Sequence, residues 1–220
     1  TEDLGLKKVG LLKMNDQFGT GWEEGIQGAL KAKNQALVDV EFHGSTDKDM
    51  APQLLRLQQS GAELIVVASH PPTHVVILKQ RKQLGLDKIP LLASNSAMLP
   101  TTLALLDPTE IEGIMGTVDS LPALDPASKE WAAKYKARFN TQADFSAAEY
   151  YDGVMMVAEA IKAKGADLKG VADYLHEIKG KKGMGNTWTF GADGDGGSQV
   201  VIARVKGGQL EAVKTVVVDR

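Results

Sequence analysis

Between residues 7 and 94 short apolar runs alternate with amphipathic stretches, joined by only a few residues, and this rhythm narrows the fold more than any other feature. "KKVGLLKM" (7–14), "ALVDVEF" (36–42), "ELIVVAS" (63–69) and "KIPLLAS" (88–94) read as strands, with a helical pattern between each pair. Parallel strands need such crossovers, and runs this uniformly apolar are buried on both faces. The predicted class is therefore α/β, a doubly wound, mostly parallel sheet. The first helix spans about Thr20 to Lys33, where Thr20 and Glu23 form a capping box and Trp22, Ile26, Ala29 and Leu30 share a face. Asp49 and Pro52 open a second helix that carries Met50, Leu54 and Leu57 and stops at Gly61. A third ends at Leu84-Gly85.

After Pro100 the rhythm changes. "IEGIMGTV" (111–118) reads as one more strand, followed by three helices with no strand between them. Asp125-Pro126 starts the first, with Trp131, Tyr135 and Phe139 on one face. Ser146 and Glu149 make a capping box for the second, where Ala147, Tyr151, Val154, Ala158 and Ile161 draw an apolar stripe. Asp167 caps the third, with Leu168, Val171, Leu175 and Ile178. The chain closes on a hairpin (198–218) turned at Gly207-Gly208. Three amphipathic helices with one strand to pack on imply that part of a domain is missing.

Composition excludes several classes. Lys and Arg number 25 against 28 Asp and Glu, a net charge of −3, which does not suit a nucleic-acid binder. With no cysteine, disulfides, thiolate metal sites and cysteine nucleophiles are ruled out. No run approaches the ~20 apolar residues that span a bilayer. Gly19, Gly21 and Gly25 give G-x-G-x-x-x-G with Glu41 ending the next strand, the outline of a dinucleotide site. Four residues, Asn15 to Phe18, intervene before the first glycine, Asp16 is acidic, and no Walker lysine follows, so nucleotide binding is disfavoured. His70 and His74 have a spacing that metal ligands use, but Pro71 and Pro72 separate them and no third ligand is evident. "DGDGG" (193–197) lacks the acids of a calcium loop and reads as a turn. "KGKKG" (179–183) reads as a solvated connector suited to a hinge crossing. No catalytic constellation, metal site or cofactor site emerges.

"NDQFGTGWEEGIQGALK" (15–31) resembles the first strand–loop–helix of the second lobe of type I periplasmic binding proteins, the branched-chain amino-acid type solute receptors of ABC importers. "GSTDKDMAPQLLRLQQSGAELIVVAS" and "ILKQRKQLGLDKIPLLASNS" resemble the segments that follow. "EGIMGTV", "PASKEWAAKYKARFN" and "AAEYYDGVMMVAEAIKAKG" resemble the return through lobe one, and "NTWTFGADGDGG" the closing turn. The resemblance implies lobe two over 6–104 and 181–220, a lobe-one return segment over 105–180, and a first third that lies outside this chain. It implies a non-enzymatic protein that captures a small molecule, an amino acid or a small organic or aromatic acid, and delivers it to an ABC permease. Its location would be periplasmic or extracellular, lipid-anchored where there is no periplasm. A sensory receptor domain of the same fold and an NAD(P)-dependent α/β oxidoreductase are the alternatives. Solute contacts are expected from Phe18, from Ser69 and His70 after the third strand, and from Asn95 and Ser96 after the fourth. Asn95 stands where amino-acid binders place an acid for the ammonium group, which points to a neutral or carboxylate solute. The uncovered stripe on the second of the three helices implies self-association of the isolated 220 residues.

Overall fold

The structure is a computed structural model that describes residues 5–121 and 126–217. Its elements run β1 (Val9–Met14), α1 (Gln17–Lys31), β2 (Leu37–His43), α2 (Ala51–Gln59), β3 (Leu64–Ala68), α3 (Pro71–Gln83) and β4 (Leu91–Ala93). They continue with α4 (Pro100–Leu103), α5 (Pro108–Ile111), β5 (Met115–Val118), α6 (Pro126–Phe139), α7 (Phe145–Lys164) and α8 (Leu168–Glu177). β6 (Lys181–Lys182), β7 (Thr187–Trp188), β8 (Gln199–Lys206) and β9 (Gln209–Val217) follow. Seven strands form one sheet in the order β2-β1-β3-β4-β5-β8-β9, and β6-β7 is a separate ribbon. β1 is parallel to β2 and β3, β3 to β4, and β4 to β5. The doubly wound, mostly parallel sheet expected from the alternation is the architecture observed.

The chain divides into two compact units. The first takes residues up to Thr117 together with Ala203–Glu211, and the second takes Val118–Ile202 and the chain from Ala212 on.

In the first unit the period-2 alternation of β1 sorts its side chains. Val9 and Leu11 join Leu64, Val66 and Ala68 of β3 and Leu30 of α1, with Phe18, Trp22 and Ile26 packed against them. Gly10 faces the other way, so close to Leu57 of α2 that a Cβ would lie 2.8 Å from its Cδ2. Leu12, Ile65, Val67, Leu54, Leu57, Ile77 and Leu78 have no solvent exposure. Every residue of β3 is buried, as a strand covered on both faces requires.

Helix starts depart from the sequence expectation. α1 begins three residues before Thr20, because Asp16, not Thr20, is the N-cap and its side chain accepts from Gly19 N. Glu23 pairs with Lys13 at 2.6 Å and is no part of a cap. Asp144 caps α7 by accepting from Ala147 N, so Ser146 and Glu149 form no capping box. In both cases an Asp just upstream had the better geometry. Of the run 111–118 only Met115–Val118 is strand, since Ile111 ends the short helix α5. The start at Asp125 lies outside the described residues. The Asp167 cap and the hairpin stand as expected, with Gly207 and Gly208 at φ 58° and 76° supplying the turn.

The second unit holds the three helices. Asp152 on α7, almost fully buried, accepts from Met184 N, Gly185 N and Trp188 Nε1 at 2.7, 2.8 and 2.9 Å. "KGKKG" is therefore more than a solvated connector: Lys181 and Lys182 form β6, and Lys181 Nζ reaches Glu159 at 2.6 Å. On α7 the inward residues are Phe145, Ala148, Asp152, Met156 and Ala160. Of the stripe read from the sequence, Tyr151, Val154 and Ile161 are exposed.

The three glycines of the opening loop do different work. A Cβ on Gly19 would lie 2.0 Å from the carbonyl oxygen of Met14, whereas Gly21 and Gly25 meet nothing. Gly19→Ala should destabilise the protein by about 3 kcal/mol, the backbone having to give way. Gly21→Ala should stabilise it by roughly 0.5–1 kcal/mol through helix propensity. Urea midpoints of the two variants check both signs.

Candidate functional site

The chain runs from β1 to its neighbour β2, then crosses to β3 on the other side of β1. The strand order reverses there, and in open α/β sheets a crevice forms beyond the carboxyl ends of the strands at such a switch point. The segments that follow β1, β3 and β4 meet at this edge, and they carry every site residue read from the sequence, Phe18 from the first turn of α1.

Phe18 lies in the first turn of α1. It is half-buried, packs on the core cluster, and its ring centroid is 5.0 Å from that of His70 at a tilt of 31°. His70 is the N-cap residue of α3 in extended conformation and makes no side-chain cap bond. Its Nε2 instead lies 3.2 Å from Asp16 Oδ2, with 45% of the side chain exposed. Asn95 and Ser96 open a 3-10 turn after β4 and are partly buried. Ser96 Oγ donates to the carbonyl of Ser69 at 2.9 Å. The side chain of Ser69 points into the protein, fully buried, with Oγ 3.1 Å from His43 Nε2 and 2.5 Å from Thr73 Oγ1. It braces the floor of the crevice.

That floor is a hydrogen-bond network that sequence reading missed. His43 Nδ1 is 2.9 Å from the Gly44 carbonyl, which can only accept, so Nδ1 bears the hydrogen and Nε2 accepts from Ser69. Ser94 Oγ donates to the Ser69 carbonyl at 3.0 Å, so it accepts from His74 Nε2 at 3.0 Å. His74 Nδ1 is then a bare, buried atom without a partner among the described residues. Burial pushes the His74 imidazole down to about 3, so the ring is neutral. The two histidines of the H-x-x-x-H spacing thus go to different partners. Among the described residues no group of three or more His, Cys, Asp or Glu is placed to hold a metal.

The helix N-terminus also bears on the nucleotide outline. The backbone hydrogen bond from Gly19, and then His70, hold the Asp16 carboxyl below its ordinary value. A carboxylate therefore already occupies the end of α1 where a pyrophosphate would sit, and Gly19 is consumed by its approach to Met14. In the second unit a concavity of about 280 Å³ is lined by residues including Asp119, Glu149, Asn186, Trp188 and Gln199. Burial and the carboxylates of Asp119, Asp152 and Asp144 push Glu149 up to about 8.

Titration of the buried histidine sets an acid limb. An unfolded histidine takes a proton near pH 6.5, while native His74 resists one until about pH 3, so acid in that window favours unfolding. The Asp16 contribution, present above the ordinary carboxylate range, is lost further down as pH falls through its lowered value. Each of these two contributions should therefore fall as pH drops from 6.5 toward 3. His74→Gln should cost about 1–3 kcal/mol at neutral pH through the altered contact with Ser94 and flatten that slope. Urea denaturation across the pH range measures both effects.

A sequence profile of the family described as "Periplasmic binding protein" matches residues 1–209. The leucine-, isoleucine-, valine-, threonine- and alanine-binding protein of Pseudomonas aeruginosa is 23% identical over 170 residues, 77% of this chain and 45% of its own length. A leucine binding protein from Thermotoga maritima superposes with a TM-score of 0.87 at 22% identity, covering 98% of this chain and 62% of that one. A solute binding protein of an ABC transporter from R. palustris, in complex with 4-hydroxybenzoate, superposes with a TM-score of 0.85 at 18% identity, covering 98% and 61%. The chain thus spans about half to three fifths of the length of these relatives.

Proposed function

Since the chain belongs to the periplasmic binding protein family, we propose that it is part of the solute-binding component of an ABC importer and carries one side of the site for a small molecule. The observation that carries the reading is the Phe18–His70 pair, in tilted ring contact at the carboxyl edge of the β1–β3 switch point. An aromatic face beside a polar ring is how small-molecule sites are lined. The task involves no bond making or breaking, and the partner that receives the solute is a membrane permease. The setting is periplasmic or extracellular, with a lipid anchor in a cell that lacks a periplasm.

Among the residues at the crevice, Phe18, His70, Asn95 and Ser96 offer side chains to solute, while Ser69, fully buried and with its carbonyl engaged by Ser94 and Ser96, supports the edge from below. The solute is a neutral or carboxylate-bearing small molecule. One relative is named for amino acids and two similar structures are in complex with 4-hydroxybenzoate and benzoate, and Asn95 favours the second group. A buried ammonium without a carboxylate partner costs several kcal/mol, and an amide does not supply that charge. The oxidoreductase alternative loses support from the Asp16 cap. A sensing receptor of the same fold would use the same crevice, and only the partner differs.

Calorimetry on the protein with benzoate and with leucine tests the solute class. Benzoate should bind the more tightly, and Phe18→Ala should weaken it by about 1–3 kcal/mol. Micromolar binding of leucine would contradict the reading.

The exposed face of α7 adds an expectation about association. Tyr150 and Val154 are 78% and 67% exposed, and Tyr151, Met155 and Ile161 are exposed beside them. Contiguous apolar surface of this kind drives self-association. Light scattering on the 220-residue chain should show species above the monomer, and Val154→Lys should reduce them. A monodisperse monomer at high concentration would remove the expectation.

A further inference from the structure

We propose that Asp16 is a positioning residue that fixes the tautomer of His70, so that the crevice reads a hydrogen-bond donor on the solute, a hydroxyl or an N–H, at this point. The proposal rests on the reading of Phe18 and His70 as solute-facing and goes beyond it by naming the group they recognise.

Asp16 is held from two sides. Oδ1 accepts from Gly19 N at 2.8 Å and so is fixed by the start of α1, while Oδ2 is 3.2 Å from His70 Nε2. The carboxyl is held below its ordinary value, so it is ionised at neutral pH. An ionised carboxylate only accepts. His70 Nε2 must therefore bear the hydrogen, and a neutral imidazole then has a bare lone pair on Nδ1. That atom makes no hydrogen bond among the described residues, since His70 caps α3 through its backbone alone. The Nε2–Asp16 contact itself selects the ring orientation, since a flipped ring would turn a carbon toward the carboxylate and lose that hydrogen bond. His70 is thus presented as an acceptor. An anionic oxygen facing Nδ1 would meet lone pair against lone pair, with the negative Asp16 behind the ring. A hydroxyl would be satisfied.

The rest of the edge fits this division. The Ser96 hydroxyl spends its hydrogen on the Ser69 carbonyl, and those of Ser94 and Ser69 are spent within the floor. The half-exposed imidazole of His70 is the part of the network with an unspent atom at the crevice. Asp16 does not touch solute in this arrangement; it acts through His70.

The test separates tautomer from binding. In the nitrogen-labelled 220-residue chain at about pH 8, well above the ordinary histidine pKa, long-range proton–nitrogen spectra should place the His70 hydrogen on Nε2. Asp16→Asn keeps a good N-cap, its oxygen still serving Gly19 N, and turns the introduced amide nitrogen to His70. The hydrogen should then move to Nδ1. An unchanged tautomer in Asp16→Asn overturns the positioning role. In titrations of the same samples, 4-hydroxybenzoate should bind the unaltered chain roughly tenfold more tightly than benzoate, about what one hydrogen bond is worth. Asp16→Asn should erase that preference. Equal affinity for both probes in the unaltered chain overturns the donor recognition and leaves the solute reading standing. No binding of either overturns both.

Discussion

One missing methyl group sets the geometry of the whole edge. At Gly19 the backbone of α1 comes so close to the end of β1 that any side chain would run into the Met14 carbonyl. The contact brings the helix start down onto the strand end, where Asp16 can cap it. The cap turns the second carboxylate oxygen outward to His70 at the head of α3. Phe18, next in the helix, is thereby laid across the same imidazole. The loops after β1 and β3 are thus coupled through one carboxylate and one ring contact. Both contacts depend on a backbone approach that only glycine permits.

The floor beneath that edge shows how polar groups can be buried without charge. His43 and His74 flank Ser69 and Ser94, and the hydrogens of these four side chains run to the Gly44 carbonyl, His43, Ser94 and the Ser69 carbonyl. Such networks rigidify a site when every member is satisfied. Here one member is not: His74 Nδ1 is buried without a partner among the described residues, and burial of the ring is what makes its protonation costly. Glu149 titrates in the opposite sense. Its raised value means that the native chain holds a proton there which the unfolded chain gives up, so it favours the fold below the ordinary carboxylate range and loses that effect as pH rises toward about 8. The two limbs confine greatest stability to the interval between them.

The alternation of apolar runs and amphipathic helices made the sheet legible, because covered parallel strands leave a strong periodic signal in β1, β3 and their crossovers. Pro52 marked the start of α2, whereas Pro71, Pro100 and Pro108, which stand equally early in α3, α4 and α5, went unread as helix starts. Caps were less readable. Thr20-x-x-Glu23 and Ser146-x-x-Glu149 both have the spacing of a capping box, yet Asp16 and Asp144 took the role from upstream. Local pattern matching does not see that Lys13 draws Glu23 away or that burial takes Glu149. At the crevice Phe18, His70, Asn95 and Ser96 were named by the family resemblance, and the strand pattern alone indicated only that the ends of β1, β3 and β4 share one edge. The inward turn of Ser69 was not legible, because its partners His43, Thr73 and Ser94 come from three separate elements. Asp16 was visible only as a negative charge; its pairing with His70 across 54 residues has no local signature.

The first unit is not continuous in sequence. After Thr117 the chain leaves it and returns only with Ala203–Glu211, and Val205 then exchanges backbone hydrogen bonds with Gly113 and Ile114. During synthesis, therefore, the edge beside β5 waits for more than eighty residues before its partner strand emerges. An unpaired edge of this kind is a template for wrong pairing, and closure over so long a loop is slow. The first hundred or so residues form a half-finished sheet for as long as the ribosome takes to reach β8. The cell must keep that nascent edge from other strands in the interval, so the order of the chain, as much as its stability, determines how safely this protein is made.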